Sequence, residues 1–326
     1  MRGTRVERNK RRGIIQNKIL MIFLILILGI VGLIGGVIWA LFNKVDVVNF
    51  DKFDLGANIY LNDEFDYIRN IALFGVDQAD GEGGRSDAMM IATIDKKNKK
   101  LKLTSLMRDS YVQIPGHGGN KLNAAYAFGE EALVIKTINK NFSLNIEDFV
   151  TVDFSSLPKI VDKVGGVDIE IDSAEIKHLN NYISDLNSRT GTNSPYIDTT
   201  GIHRLNGVQA MAYCRIRYTA GDDFKRTERQ REVLEQILNN LFDLSTLKYP
   251  GLLNTVFPMV KTSLSMGDIM GMGKDILFIG NNLEQNRFPT DQDYVPKTIN
   301  GQSCLTFNQD ATKEKIHKWI FDDIKE

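Results

Sequence analysis

Residues 19–42, ILMIFLILILGIVGLIGGVIWALF, are apolar or glycine throughout and carry no charge. A helix of that length rises about 36 Å, enough to cross a hydrocarbon core of about 30 Å. A cleaved signal peptide has an apolar region of roughly 7–15 residues followed by a small-residue cleavage site, and neither feature fits. The run therefore reads as an uncleaved signal anchor. Residues 1–18 hold seven basic side chains against the single acid Glu7, a net +6. Such a flank stays in the cytoplasm, so the chain from residue 43 onward is expected outside the membrane. The whole chain carries −1, which leaves −7 on the body behind the tail. A basic tail on an acidic body is not the charge pattern of a folded nucleic-acid-binding surface, so no nucleic-acid partner is expected.

Residues 43–66 read as an extracytoplasmic tether and residues 67–326 as one domain, since no clean linker interrupts them. Residues 70–77, 87–95 and 101–106 are short strands with short connections, which predicts an antiparallel meander. A glycine-rich loop, residues 78–85, joins the first two. Helix over 122–140, strand over 149–154, helix over 155–164 and strand over 166–171 give the rhythm of an α/β or α+β domain. Residues 173–200 read as a helix and a polar loop. A helix near 268–280, a strand near 283–288 and an amphipathic helix from Lys313 complete the chain. Cys214 and Cys304 allow one disulfide but no disulfide framework. The four histidines are scattered, without zinc-ligand spacing.

The stretch 213–244 concentrates the chemistry. Val233, Leu234, Ile237, Leu238 and Leu241 recur at helical spacing and mark a buried face. Continued backwards, that face passes through Gln230 and Arg226, with Arg229 at its edge. Cations are misplaced at a helix N-terminus, where the dipole is already positive, unless an anion shares the site. Arg215 and Arg217 are two residues apart and project to one side if that segment is extended. One reading is a cradle for a doubly anionic group such as pyrophosphate. The other is a solvated helix start, salt-bridged to Glu228, Glu232 and Glu235.

Asp77 ends one predicted strand and Asp87 begins the next, so a hairpin brings both to one sheet edge. Two carboxylates with water and phosphate oxygens suit Mg²⁺; turn-forming aspartates are the plainer alternative. Arg85, Arg108 and Asp109 fall at the same edge. Carboxylates with several arginines are what metal-assisted phosphoryl chemistry requires.

The ordered set GVD (75–77), RSDAMMI (85–91), SLMRDSYVQIPG (105–116), KLNAAYAFGE (121–130), VDF…VGGVDIEI (152–171), LNGVQAMAYCRIR (205–217) and DFKRTERQ (223–230) resembles the LytR-CpsA-Psr family of Gram-positive cell-envelope proteins. The core motifs span 67–245. The resemblance implies a mixed central β-sheet flanked by helices, in a single extracytoplasmic domain behind one transmembrane helix. It implies a phosphotransferase that moves an anionic glycopolymer (teichoic acid, capsule or similar) from a polyprenyl-pyrophosphate carrier to peptidoglycan through a phosphodiester. The acceptor it implies is the muramic acid 6-hydroxyl, and the polyprenyl tail lies in an apolar tunnel. Carried over by motif, Asp77 and Asp87 hold Mg²⁺, with Mn²⁺ as the alternative. Arg85, Arg108, Lys121, Arg215, Arg217, Arg226 and Gln230 contact the pyrophosphate, with Arg229 beside them, either in the site or in a supporting ion pair. Arg108, Asp87, Arg215 and Arg217 are the catalytic set, and Asp109 orients Arg108. No general base is identified, since a metal-bound carboxylate is a poor one. Two other readings stay open: a non-catalytic envelope-binding or regulatory protein, and a lipid pyrophosphatase that transfers nothing.

Overall fold

A strand that is apolar at nearly every position needs cover on both faces, and the segment around residues 70–77 has it. The computed structural model describes residues 42–48, 52–58, 60–77, 85–153, 156–216, 222–243, 249–280 and 282–325. The basic tail, the expected anchor except Phe42, residues 78–84 and Arg217 lie outside these. No helix among the described residues is long and apolar enough to cross a membrane. Val45–Glu326 form one compact unit and Met1–Lys44 another.

The larger unit opens with β1 (Asp46–Val47), α1 (Tyr60–Glu64), β2 (Ile68–Asp77), β3 (Arg85–Asp95), β4 (Lys100–Leu106), β5 (Tyr111–Ile114) and β6 (Gly118–Lys121). It continues with α2 (Ala124–Phe142), β7 (Asp148–Asp153), α3 (Leu157–Lys163), β8 (Val167–Ile171), α4 (Ser173–Thr190), β9 (Gly201–Leu205) and α5 (Gly207–Arg215). The remainder is α6 (Asp222–Asp243), α7 (Tyr249–Val256), β10 (Val260–Thr262), α8 (Met266–Ile279), β11 (Leu283–Phe288), β12 (Tyr294–Ile299), β13 (Gln302–Phe307) and α9 (Gln309–Ile320).

Seven strands form a mixed sheet in the order β1-β10-β7-β2-β3-β4-β11. The expected meander is its centre: β2 pairs antiparallel with β3, and β3 with β4. β7 runs parallel to β2, and β11 parallel to β4. One face of the sheet presents Ala72, Phe74, Val76, Ile91 and Phe149 to α2 and α9, where Val134, Ile138, Ile316 and Trp319 complete a core. The other face packs Ile71, Leu73, Ile94 and Val150 against Met272 and Ile276 of α8. A third apolar cluster joins α3, α4, α5, α6 and the β8–β9 ribbon to one another.

The structure departs from the sequence expectation in several places. Residues 43–66 are more than a tether: β1 pairs with β10, and Leu55 and Leu61 are buried. β8 pairs with β9 in a separate ribbon, so β7–α3–β8 is not a crossover unit of the main sheet. Residues 111–121, to which the sequence assigned no element, form the β5–β6 hairpin, turned by Gly116 and Gly118 at positive φ. The last helix starts before Lys313, because the Asn308 side chain accepts from the Ala311 N–H and caps it there. Cys214 and Cys304 are both buried free thiols.

At the start of α8 the Asp268 carboxylate accepts from Ser265 Oγ at 2.5 Å and pairs with Arg69 at 2.8 Å. These contacts, Ser265 first, hold its pKa at about 2, below the usual 3.8. A carboxylate with a lowered folded-state pKa stabilises the protein above its unfolded value and loses that contribution as pH falls through the folded one. Asp268→Asn should therefore flatten the wild-type fall in melting temperature between pH 3.8 and about 2, followed by circular dichroism.

Candidate functional site

The end of the sheet where β2 finishes and β3 begins collects the acidic candidates. Asp77 is the Cα partner of Arg85, and Val76 of Ser86, but Gly75 is opposite Ala88. Asp87 is thus the extra residue of a β-bulge, a device that re-aims a side chain at a sheet end. Ser86 Oγ fastens the bulge by donating to the Ala88 carbonyl at 2.8 Å. The same edge holds an aspartate that the sequence reading did not single out. Asp153 ends β7 and is the parallel partner of Val76. It stood in the VDF motif, but strand order alone makes it a neighbour of Asp77.

Arg108 follows where β4 leaves this end of the sheet. Its Nε lies 3.4 Å from Asp109 Oδ2, while Asp109 Oδ1 is 2.7 Å from Lys121 Nζ on β6. One carboxylate thus lies between the two cations.

α6 carries the predicted polar residues on its buried face. Arg226 is 2 % exposed, Arg229 3 % and Gln230 8 %, in line with Val233 at 1 % and Ile237 at 5 %. Arg229 has a structural engagement: its Nε donates to Glu175 Oε1 at 2.8 Å and its guanidinium to the Ile216 carbonyl at 3.1 Å. Glu175 belongs to α4. Glu232 instead accepts from Tyr213 Oη at 2.9 Å, and burial raises its pKa.

The expectation of an extended segment at Arg215 does not hold. Arg215 is the last residue of α5, a helix started by the Asn206–Gln209 capping box, and only Ile216 after it is extended. A cation at a helix C-terminus is favoured by the dipole. Arg217, its companion in that expectation, lies outside the described residues.

Between the sheet and the helical layer lies a cavity of about 220 Å³. Its walls are apolar, with Leu73 and Met90 from the sheet, Leu157 and Ile160 from α3, and Val233 and Ile237 from α6. Polar lining comes from Asp153 and Gln230. Gly75, Ala88, Cys214 and Gln230 also line it. In sequence these stand within two residues of Asp77, Asp87 and Arg215, and one helical turn from Arg226. The cavity and four candidate site residues thus share the same chain segments. Burial pushes the Cys214 thiol up to about 12.

Gln230 Oε1 is buried without a hydrogen-bond partner among the described residues. An unsatisfied buried polar atom costs about 1–3 kcal/mol. Gln230→Leu should leave the unfolding free energy unchanged or raise it, whereas Arg229→Leu, which strands the Glu175 carboxylate, should lower it by about 3–5 kcal/mol. Urea denaturation of the two variants measures both.

Residues 46–318 match the LytR_cpsA_psr family. The chain is 31 % identical over 262 residues to the polyisoprenyl-teichoic acid–peptidoglycan teichoic acid transferase TagU of Enterococcus faecalis, covering 78 % of this chain and 80 % of that one. It is 30 % identical over 259 residues to the regulatory protein MsrR of Staphylococcus aureus, covering 78 % and 75 %. Among solved structures, TagT bound to LIIa-WTA superposes with a TM-score of 0.62 at 25 % identity, over 85 % of this chain and 94 % of that one. With its motifs in order, its mixed sheet and most of its length matched, the chain belongs to the LytR_cpsA_psr family.

Proposed function

We propose that this protein is a membrane-anchored phosphotransferase that moves an anionic glycopolymer from a polyprenyl-pyrophosphate carrier to peptidoglycan. The observation that carries this reading is the apolar cavity, because its lining residues alternate along the chain with the arginine and aspartate candidates. A polyprenyl tail would fill a site with those walls, and its pyrophosphate would meet cations held at the rim. The E. faecalis relative named a teichoic acid transferase supports the same reaction class. In this reading residues 19–42 anchor the chain and the domain acts outside the membrane.

Arg108 and Lys121, held by Asp109, would bind non-reacting pyrophosphate oxygens together with Arg85, Arg215, Arg217 and Arg226. Gln230 supplies an amide at the boundary between cavity and anion. Arg229 would act one step away, fixing the exit of α5 through Ile216. Asp77 and Asp87 fit a hard divalent cation, since they offer carboxylates on adjoining strands and leave the remaining positions to water and phosphate. They would hold Mg²⁺, which when bound would neutralise charge on the pyrophosphate. The acceptor hydroxyl oxygen forms a new bond to the phosphorus that bears the polymer. The bridging P–O bond breaks, polyprenyl phosphate leaves, and the hydroxyl proton passes to solvent. In a loose transition state, positioning and charge stabilisation by the arginines supply most of the acceleration.

Two variants test this in a transfer assay with lipid-linked polymer and peptidoglycan. Arg215→Ala should lower turnover on the order of 10²–10³-fold, the range for removal of one charge-stabilising donor. Ala88→Trp, which fills the cavity, should abolish binding of a short polyprenyl pyrophosphate without lowering the melting temperature. Wild-type transfer by both variants would reject the reading. Release of polyprenyl phosphate with no polymer joined to peptidoglycan would replace it with a lipid pyrophosphatase.

A further inference from the structure

A second concavity, of about 690 Å³, lies along the opposite side of α6. Glu228, Glu232 and Glu235 of α6 form one wall, and Gln285, Asn286 and Arg287 of β11 the other. The Gln285 amide bonds Glu235, and Arg287 is tied to Asp291 at 2.5 Å. β11 is the edge strand of the sheet, and its last residue Phe288 is opposite Leu106. The Phe288 carbonyl accepts from Met107 N, next to Arg108. The cleft therefore starts beside the candidate site and is separated from the cationic cradle by one helix, about 10 Å across.

Its chemistry is unlike that of the cradle. Arg226 and Arg229 are buried with the apolar face of α6, and Glu228, Glu232 and Glu235 line the cleft. Carboxylates, side-chain amides and the Thr290 hydroxyl offer hydrogen bonds in both senses, which suits hydroxyl and acetamido groups. Among the described lining residues four acids stand against Arg287, a balance that disfavours a polyanion. Among these lining residues none is a large apolar side chain, so a lipid tail has nothing to bind.

We infer that the cleft between α6 and β11 seats a neutral amino-sugar strand, the acceptor of the transfer, and keeps the anionic donor polymer out. The inference rests on the phosphotransferase reading for the word acceptor, but not for the binding. The two charge signs on one helix then sort the two substrates: pyrophosphate on the arginine side, uncharged glycan on the glutamate side. Only the acceptor strand can lie along the acidic wall, so one anionic chain is not joined to another.

The test uses the full-length chain in nanodiscs, with chitotetraose as neutral glycan and an oligomer of polyglycerol phosphate as anionic one. Saturation-transfer NMR should show chitotetraose bound and polyglycerol phosphate not. Asn286→Ala and Glu235→Gln should each weaken chitotetraose at least tenfold, with wild-type melting temperature and wild-type binding of a short polyprenyl pyrophosphate. In the transfer assay both should raise KM for peptidoglycan and leave KM for the lipid-linked polymer unchanged. Absent chitotetraose binding, equal binding by the variants, or preference for polyglycerol phosphate overturns the inference. A raised KM for the lipid-linked polymer alone overturns the acceptor assignment. If wild type binds chitotetraose but no polyprenyl pyrophosphate, the phosphotransferase reading fails and the glycan cleft stands.

Discussion

The ion pair between Arg229 and Glu175 is the contact on which the functional half of this domain depends. Its side chains are 3 % and 7 % exposed, and it joins α4 to α6 while Arg229 also holds the carbonyl after α5. Taking two charges out of water is expensive, and their attraction offsets that cost only with good geometry. The pair lies inside the helical layer, where α4 and α6 also share an apolar cluster. The helical layer has its own apolar cluster, distinct from the two on the sheet faces. A layer not welded to the sheet by a shared core leaves a seam, and the apolar cavity occupies it. The ion pair keeps the helices in register with one another while that seam stays open.

α6 is the partition of the site. One side contributes Val233 and Ile237 to the cavity and buries Arg226 and Gln230 beside them. The other turns three glutamates toward β11. Most amphipathic helices separate apolar from polar; this one separates an apolar side that also buries Arg226 and Gln230 from a side that carries carboxylates.

Much of this was legible from residues alone. The β2–β3–β4 meander followed from apolar runs and short turns, and the burial of Arg226 and Gln230 from the spacing that continues through Val233 and Ile237. The grouping of Arg108, Asp109 and Lys121 followed from motif resemblance, and their distances show one carboxylate between two cations. Arg215 was misread as extended, because the Asn206–Gln209 capping box that starts α5 lies upstream of the arginines and was not used. Asp153 was overlooked, because an aspartate at a strand end is ordinary until the neighbouring strand is known.

Periodicity and local chemistry determined most of the elements and the buried face of α6, and the ordered motifs carried the resemblance to the family. These are encoded within a few turns of helix or one hairpin, so a linear reading reaches them. Tertiary structure alone decided that β7 lies against β2, that Arg229 spends its nitrogens on Glu175 and Ile216, and that the helical layer stands off the sheet far enough to leave a cavity. Each depends on how segments distant in sequence meet, and a void is a property of packing that no single residue carries.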